Sequence, residues 1–146
     1  MILIIIVYFL NERHIFDYIS SDKSETEFTI KCSFMEIYKE EIKDLLTPSP
    51  KKLRVRETTT KGVWVEGLTE LYVSSMNEIL DLIKLGERYR TVSSTKMNAV
   101  SSRSHSLFVL TLIQKSKDGS IKSGKLNLAD LAGSEKVKKK FFFKFF

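Results

Sequence analysis

Cysteine, histidine, proline and glycine are all scarce in this sequence. Cys32 is the one cysteine in 146 residues, so no internal disulfide can form. His14 and His105 are the only histidines. A Cys/His zinc site is thereby excluded, and the thiol content suits a reducing compartment. Two prolines and six glycines are too few for a collagen-like, linker-rich or disordered chain. No hydrophobic run approaches the roughly 20 residues of a membrane-spanning helix. The longest, residues 1–10 (MILIIIVYFL), is followed by Asn11-Glu12-Arg13 and has neither the basic leader nor the small-residue cleavage site of a secretion signal. What remains is 42% hydrophobic and 29% charged, the composition of one soluble globular domain.

Basic charge is also scarcer than the net +6 suggests. Lysines 136, 138, 139, 140 and 144 supply five of those charges, and the chain before residue 136 carries only +1. The same tail holds five of the ten phenylalanines. The high pI is a property of the tail and does not point to nucleic acid. KKKFFFKFF has neither helical nor strand periodicity, and Lys and Phe are encoded by A-only and T-only codons. Residues 1–12 and 138–146 are therefore expected to be translated non-coding sequence or the product of misplaced gene boundaries, flanking a domain at 13–137; the β-branched run at 1–10 would also suit a buried strand. The rival for the tail is a basic-aromatic membrane-surface tag, but no membrane partner is expected.

Between the ends, Ile15, Phe16 and Ile19 read as the last turns of a helix. Residues 28–38 alternate, with Phe28, Ile30, Cys32 and Phe34 on one face, as in a strand. Residues 40–46 (EEIKDLL) read as a short helical turn stopped by Thr47-Pro48-Ser49-Pro50. Residues 53–57, 63–65 and 68–73 are short strand-like pieces separated by Gly62 and Gly67, suggesting a small meander or hairpin. Ser75-Met76-Asn77-Glu78 has capping-box form. Met76, Ile79, Leu80 and Ile83 then mark an amphipathic helix to about Arg88. Residues 91–104 are polar and aperiodic, predicting a long loop. Residues 107–113 are apolar on both faces, as in a central strand. Asp118-Gly119 signals a hairpin turn back into a strand at 126–131.

Three segments could carry chemistry. Gly119 to Lys125 fits G-x-x-x-x-G-K, but Leu126 stands where a phosphate loop needs Ser or Thr, and a strand follows instead of a helix. A polar hairpin explains it better. Asp130-Leu131-Ala132-Gly133-Ser134-Glu135 ends an apolar strand. A carboxylate there can hold Mg²⁺ through water, and a flexible glycine can offer an N–H to a terminal phosphate. Asn98-Ala99-Val100-Ser101-Ser102-Arg103-Ser104-His105 offers three hydroxyls and a guanidinium to phosphate or metal-bound water. Each alone is weak, and His105 alone is better explained as a structural hydrogen-bonding residue.

Taken in order, N-x-x-S-S-R-S-H, a strand hairpin and D-L-A-G-S-E closely resemble the switch I and switch II elements of the kinesin motor domain. E-I-Y-x-E-x-I-x-D-L-L within residues 36–46 resembles the same family, and the resemblance runs from about 13 to 137. It implies an α/β fold: part of the kinesin central mixed sheet with flanking helices. It also implies ATP and Mg²⁺ as cofactors, microtubules or tubulin as partner, and a cytoplasmic, cytoskeletal location. By the same resemblance, Ser101 and Ser102 sit beside the γ-phosphate and Mg²⁺ and help hold the attacking water. Asp130 holds Mg²⁺ through water, and the Gly133 N–H senses the γ-phosphate. Arg103 and Glu135 form the latch between the switches. Asn98 and Ser104 shape the loop, and Arg90 lies near the phosphates. Arg56 and Lys61 face tubulin, although Glu41 is acidic where some relatives carry a base.

Kinesins also carry a Walker A loop upstream of the segment resembled and microtubule-binding helices after switch II. The 146 residues contain neither, so the expectation is a fragment that keeps the phosphate sensors without the nucleotide cradle. The alternatives are a non-catalytic tubulin- or motor-binding fragment and a non-functional truncated product. Direction of movement, cargo and oligomeric state leave no mark in the sequence. Transcript sequence across both ends tests the view of the flanks: it should diverge near residues 12 and 138, and intact reads through Phe146 would refute it.

Overall fold

A computed structural model describes residues 14–47, 49, 52–60, 62–97 and 103–133. Helix α1 (His14–Ser21) precedes strands β1 (Glu27–Tyr38), β2 (Glu41–Asp44), β3 (Arg54–Thr58), β4 (Gly62–Glu66) and β5 (Leu71–Val73). Helix α2 (Met76–Met97) then leads to β6 (His105–Lys115) and β7 (Ile121–Asp130). Five strands form one sheet in the order β2-β1-β6-β7, with β5 also paired to β1, while β3 and β4 form a separate two-stranded sheet. Every described pairing is antiparallel. The expected α/β class, a sheet with flanking helices, holds. Among the described residues no helix is long and apolar enough to cross a membrane.

The strand alternation builds the core. Cys32 faces Leu110 and Phe34 faces Phe108 across β1 and β6, and Leu126 and Leu128 extend both rows on β7. The Phe34 and Phe108 rings are fully buried and meet edge to face, with centroids 5.5 Å apart at 73°. Such a pair stabilises beyond the area it buries. Burial pushes the Cys32 thiol up to about 12, which makes it an apolar core residue and not a nucleophile. Ile15, Phe16 and Ile19 of α1 pack against this cluster from the helix face read in the sequence.

Helix α2 lies over the same face. Ile79, Ile83, Gly86 and Arg90 recur at helical spacing and define the stripe that faces the sheet. Ile79 and Ile83 are fully buried. The cap forms as expected at Ser75, whose Oγ accepts the Glu78 N–H at 3.3 Å. The Glu78 carboxylate reaches back to the Ser74 N–H at 2.7 Å, one residue beyond the usual box.

Two expectations are corrected. Residues 40–46 are not helical: Glu41–Asp44 pairs with β1 as a strand. Lys39 and Glu40 both take positive φ (49° and 63°), closing a two-residue hairpin turn normally written with Asn or Gly. The strand places Leu45 and Leu46 in the core. Asp44 then caps its end, accepting the N–H groups of Leu46, Thr47 and Thr69. Residues 91–104 are not all loop either, because α2 runs on to Met97. Thr91 is accommodated by donating its hydroxyl to the Glu87 carbonyl at 2.9 Å. The rejected phosphate-loop pattern is a hairpin: Gly119 turns with φ 83°, and Gly124 and Lys125 sit inside β7 opposite Leu112 and Thr111.

Gly86 is where helix and sheet come closest. A Cβ there would overlap the Phe34 ring and lie 3.3 Å from the Leu45 Cβ. In a free helix Gly86→Ala would gain about 1 kcal/mol. Here the ring it strikes is locked against Phe108, so the sign reverses. The expected loss is about 1–3 kcal/mol, as for other overpacked cores. Urea denaturation measures it, and a gain in stability would show that the ring can yield.

Candidate functional site

The apolar rows end abruptly at one end of the sheet. One row beyond Phe34, Phe108 and Leu128, the inward residues are Glu36 on β1, Ser106 on β6 and Asp130 on β7, in register across the three strands. Arg90, one helical turn beyond Gly86, is laid over this polar row. Its side chain is 9% exposed. Its Nε lies 3.6 Å from Glu36 Oε1, and its Nη1 lies 3.4 Å from Asp130 Oδ2 and 3.8 Å from Glu87 Oε1. Its Nη2 donates to the carbonyl and hydroxyl of Ser104, both at 3.5 Å. One guanidinium thus faces three carboxylates and holds the residue just before β6 beside the residue that ends β7. A guanidinium suits this because its fixed fork of donors can serve several acceptors at once.

Both sequence motifs open from this cluster. Ser104 is buried at 1% exposure, whereas Arg103 is exposed beside it. Asp130 is the last residue of β7, with a side chain 24% exposed, so it reaches from the buried row toward the surface. Gly133 follows with φ 75°, and no described atom lies within 4 Å of where a Cβ would stand. Glycine is needed there for backbone conformation and not for space. His105 Nδ1 accepts the Ala132 N–H at 3.0 Å, joining the end of the first motif to the second.

The structure therefore brings together Arg90, Ser104 and Asp130, and joins His105 to Ala132, the residue before Gly133. Arg90 is engaged by protein groups and supports Asp130 and Ser104 from beneath. Asn98, Ser101, Ser102, Glu135 and Lys61 lie outside the described residues. Arg56 belongs to the separate β3–β4 hairpin, where its Nε pairs with Glu66 Oε2 at 3.0 Å. Sequence reasoning did not find Glu36, although a signal was present. Phe28, Ile30, Cys32, Phe34 and Glu36 continue one alternation, so the carboxylate falls at an inward position and needs a partner.

Among the described residues no three His, Cys, Asp or Glu side chains cluster as a metal site. The strand-end carboxylate of Asp130, part-exposed and held by Arg90, does fit Mg²⁺, which keeps most of its water and takes one or two carboxylates with phosphate oxygens. It does not fit a cation that needs an all-protein cage.

This geometry is that of an α/β domain with two loops rooted on adjacent strands of its central sheet. The family model of the kinesin motor domain matches residues 6–141, and the chain belongs to that family. It is 59% identical over 114 residues to kinesin-related protein 5 of Dictyostelium discoideum, covering 77% of this chain and 12% of that protein. It is 53% identical over 128 residues to the kinesin heavy chain of Syncephalastrum racemosum, covering 87% of this chain and 14% of the relative. Among solved structures it resembles one described as a fast kinesin, at 50% identity and a TM-score of 0.79, covering 86% of this chain and 36% of the other. The chain thus spans about an eighth of the length of these two curated relatives. Kinesins are microtubule motors, and nucleotide binding is expected of the family.

Removing the guanidinium would leave three carboxylates facing one another around a buried gap. Arg90→Ala is expected to cost about 3–5 kcal/mol, as when one partner of a buried ion pair is deleted. Adding Glu36→Gln should recover part of that. Circular dichroism during urea unfolding reads both, and a loss below about 1 kcal/mol would put the pairing at the level of a surface contact.

Proposed function

We propose that the chain is the phosphate-sensing part of a microtubule-motor ATPase domain, with residues 98–105 as switch I and 130–135 as switch II. The observation that carries this is the shared root of the two motifs: Arg90 holds Ser104 and Asp130 together at the ends of adjacent strands. Loops that must respond jointly to one phosphate need such a common base. Bound ATP and Mg²⁺ would supply the terminal phosphate and the charge that these residues read.

In this reading Ser101 and Ser102 hold the γ-phosphate side and Ser102 also serves Mg²⁺. Asp130 takes the metal through water, and the Gly133 N–H points to the phosphate. Arg103 and Glu135 close the loops on each other through a guanidinium–carboxylate contact that forms in only one loop geometry. Arg90 contributes by fixing Asp130 in place. Arg56 and Lys61 are proposed to meet the acidic microtubule surface. The exposed Arg56–Glu66 pair is worth about 1 kcal/mol or less, so an acidic partner can exchange for Glu66 at little cost.

The 146 residues contain no G-x-x-x-x-G-K-[ST] segment, and backbone N–H groups with a lysine supply much of the electrostatics of phosphoryl transfer. The chain alone is expected to turn over no ATP above a buffer control. Residues 98–135 placed in the matching stretch of the fast kinesin should keep microtubule-stimulated ATP turnover. Gly133→Ala in that chimera should remove most of it, because a Cβ at positive φ costs about 1–2 kcal/mol of loop geometry. A folded but inactive chimera, or one indifferent to Gly133→Ala, would overturn the assignment.

A further inference from the structure

β7 ends at Asp130, the register partner of Ser106, and no described strand pairing continues into residues 131–133. The Ala132 amide therefore lies beyond the ladder. His105 takes it: Nδ1 accepts the Ala132 N–H at 3.0 Å. The backbone that carries the ring is held in the sheet, because His105 is the first residue of β6 and pairs with Ile37 of β1. An acceptor at Nδ1 requires a neutral imidazole with its proton on Nε2.

We propose that His105 is a positioning residue for the 131–133 turn. By fixing the Ala132 amide it constrains the direction of the next one, that of Gly133, which turns at a φ of 75° and which the switch II reading assigns to a phosphate oxygen. The proposal deepens the switch II reading and rests on it for its functional consequence. It supplies a connection between the two motifs that is separate from any Arg103–Glu135 contact. A shift at the start of β6 is carried by a ring to the backbone of the turn, and the reverse.

Nuclear magnetic resonance on the labelled 146-residue chain tests the contact without nucleotide. The His105 ring should show an unprotonated Nδ1 and a protonated Nε2. His105→Gln moves the acceptor one bond outward, and Ala132 amide exchange should rise roughly three- to tenfold, the equivalent of one net hydrogen bond. His105→Asn keeps an acceptor at the position of Nδ1 and should restore slow exchange. A proton on Nδ1, or equal exchange in the native and Gln forms, overturns the proposal. The tautomer measurement decides even if a variant fails to fold. In the active chimera, His105→Gln should lower kcat several-fold more than it changes KM, with His105→Asn restoring it. An unchanged kcat would overturn the positioning role. Failure of the chimera carrying His105 sinks the switch assignment instead, and the amide measurement still decides the contact.

Discussion

A guanidinium buried among carboxylates organises this molecule. Burying a charge costs several kcal/mol, and attraction to a partner offsets that only when the geometry is held. Arg90 can be held because everything before it on α2 is already fixed: Ile79 and Ile83 sink into the core and Gly86 rests on the Phe34 ring. Its partners are equally fixed, because Glu36, Ser106 and Asp130 form one row across three hydrogen-bonded strands. The helix and the sheet therefore have one register relative to each other. The apolar rows supply the driving force, and the polar row specifies where the helix stops sliding.

The same arrangement explains what was legible in the sequence. Alternation in β1, the apolar run that becomes β6 and the capped start of α2 are local signals, and the structure has a strand, a strand and a helix there. The β1–β2 hairpin was hidden because Lys39 and Glu40 hold positive φ without the Asn or Gly that normally announces it. Leu45 and Leu46 make that strain tolerable by burying in the core, which is a tertiary effect with no local trace. The extension of α2 beyond Arg88 was hidden for a related reason. Residues 91–95 have modest helix propensity, and Arg90 anchors the helix just before them through contacts with β1, β7 and Ser104. The candidate site was half legible: its motifs and Arg90 could be recognised as residue patterns and the alternation of β1 marks Glu36 as inward, but the pairing of Arg90 with Glu36 joins residues far apart in the chain and has no local trace.

Two glycines show why residue identity alone does not reveal function. A side chain would disturb the structure at both Gly86 and Gly133, for different reasons. At Gly86 the constraint is volume, since the Phe34 ring occupies the space of a Cβ. At Gly133 a Cβ would meet no described atom within 4 Å, and the constraint is the left-handed backbone. The first belongs to packing between helix and sheet. The second belongs to the backbone of the turn itself, where a side chain would strain the conformation whatever the space around it.

The two connections between the motif roots differ in kind, and the difference has a mechanical consequence. Arg90 binds Ser104 and Asp130 in a buried setting, with several charged partners. His105 binds Ala132 through one hydrogen bond at an exposed ring. Local opening begins where contacts are few and solvated. The 131–133 turn can therefore leave and rejoin the His105 ring while Asp130 stays fixed beneath it. A loop that must respond to a ligand needs this gradient, a rigid root and a weakly tethered tip. Here the gradient arises over three residues because the sheet's polar row ends at Asp130 and, among the described residues, it is the His105 ring that reaches past it.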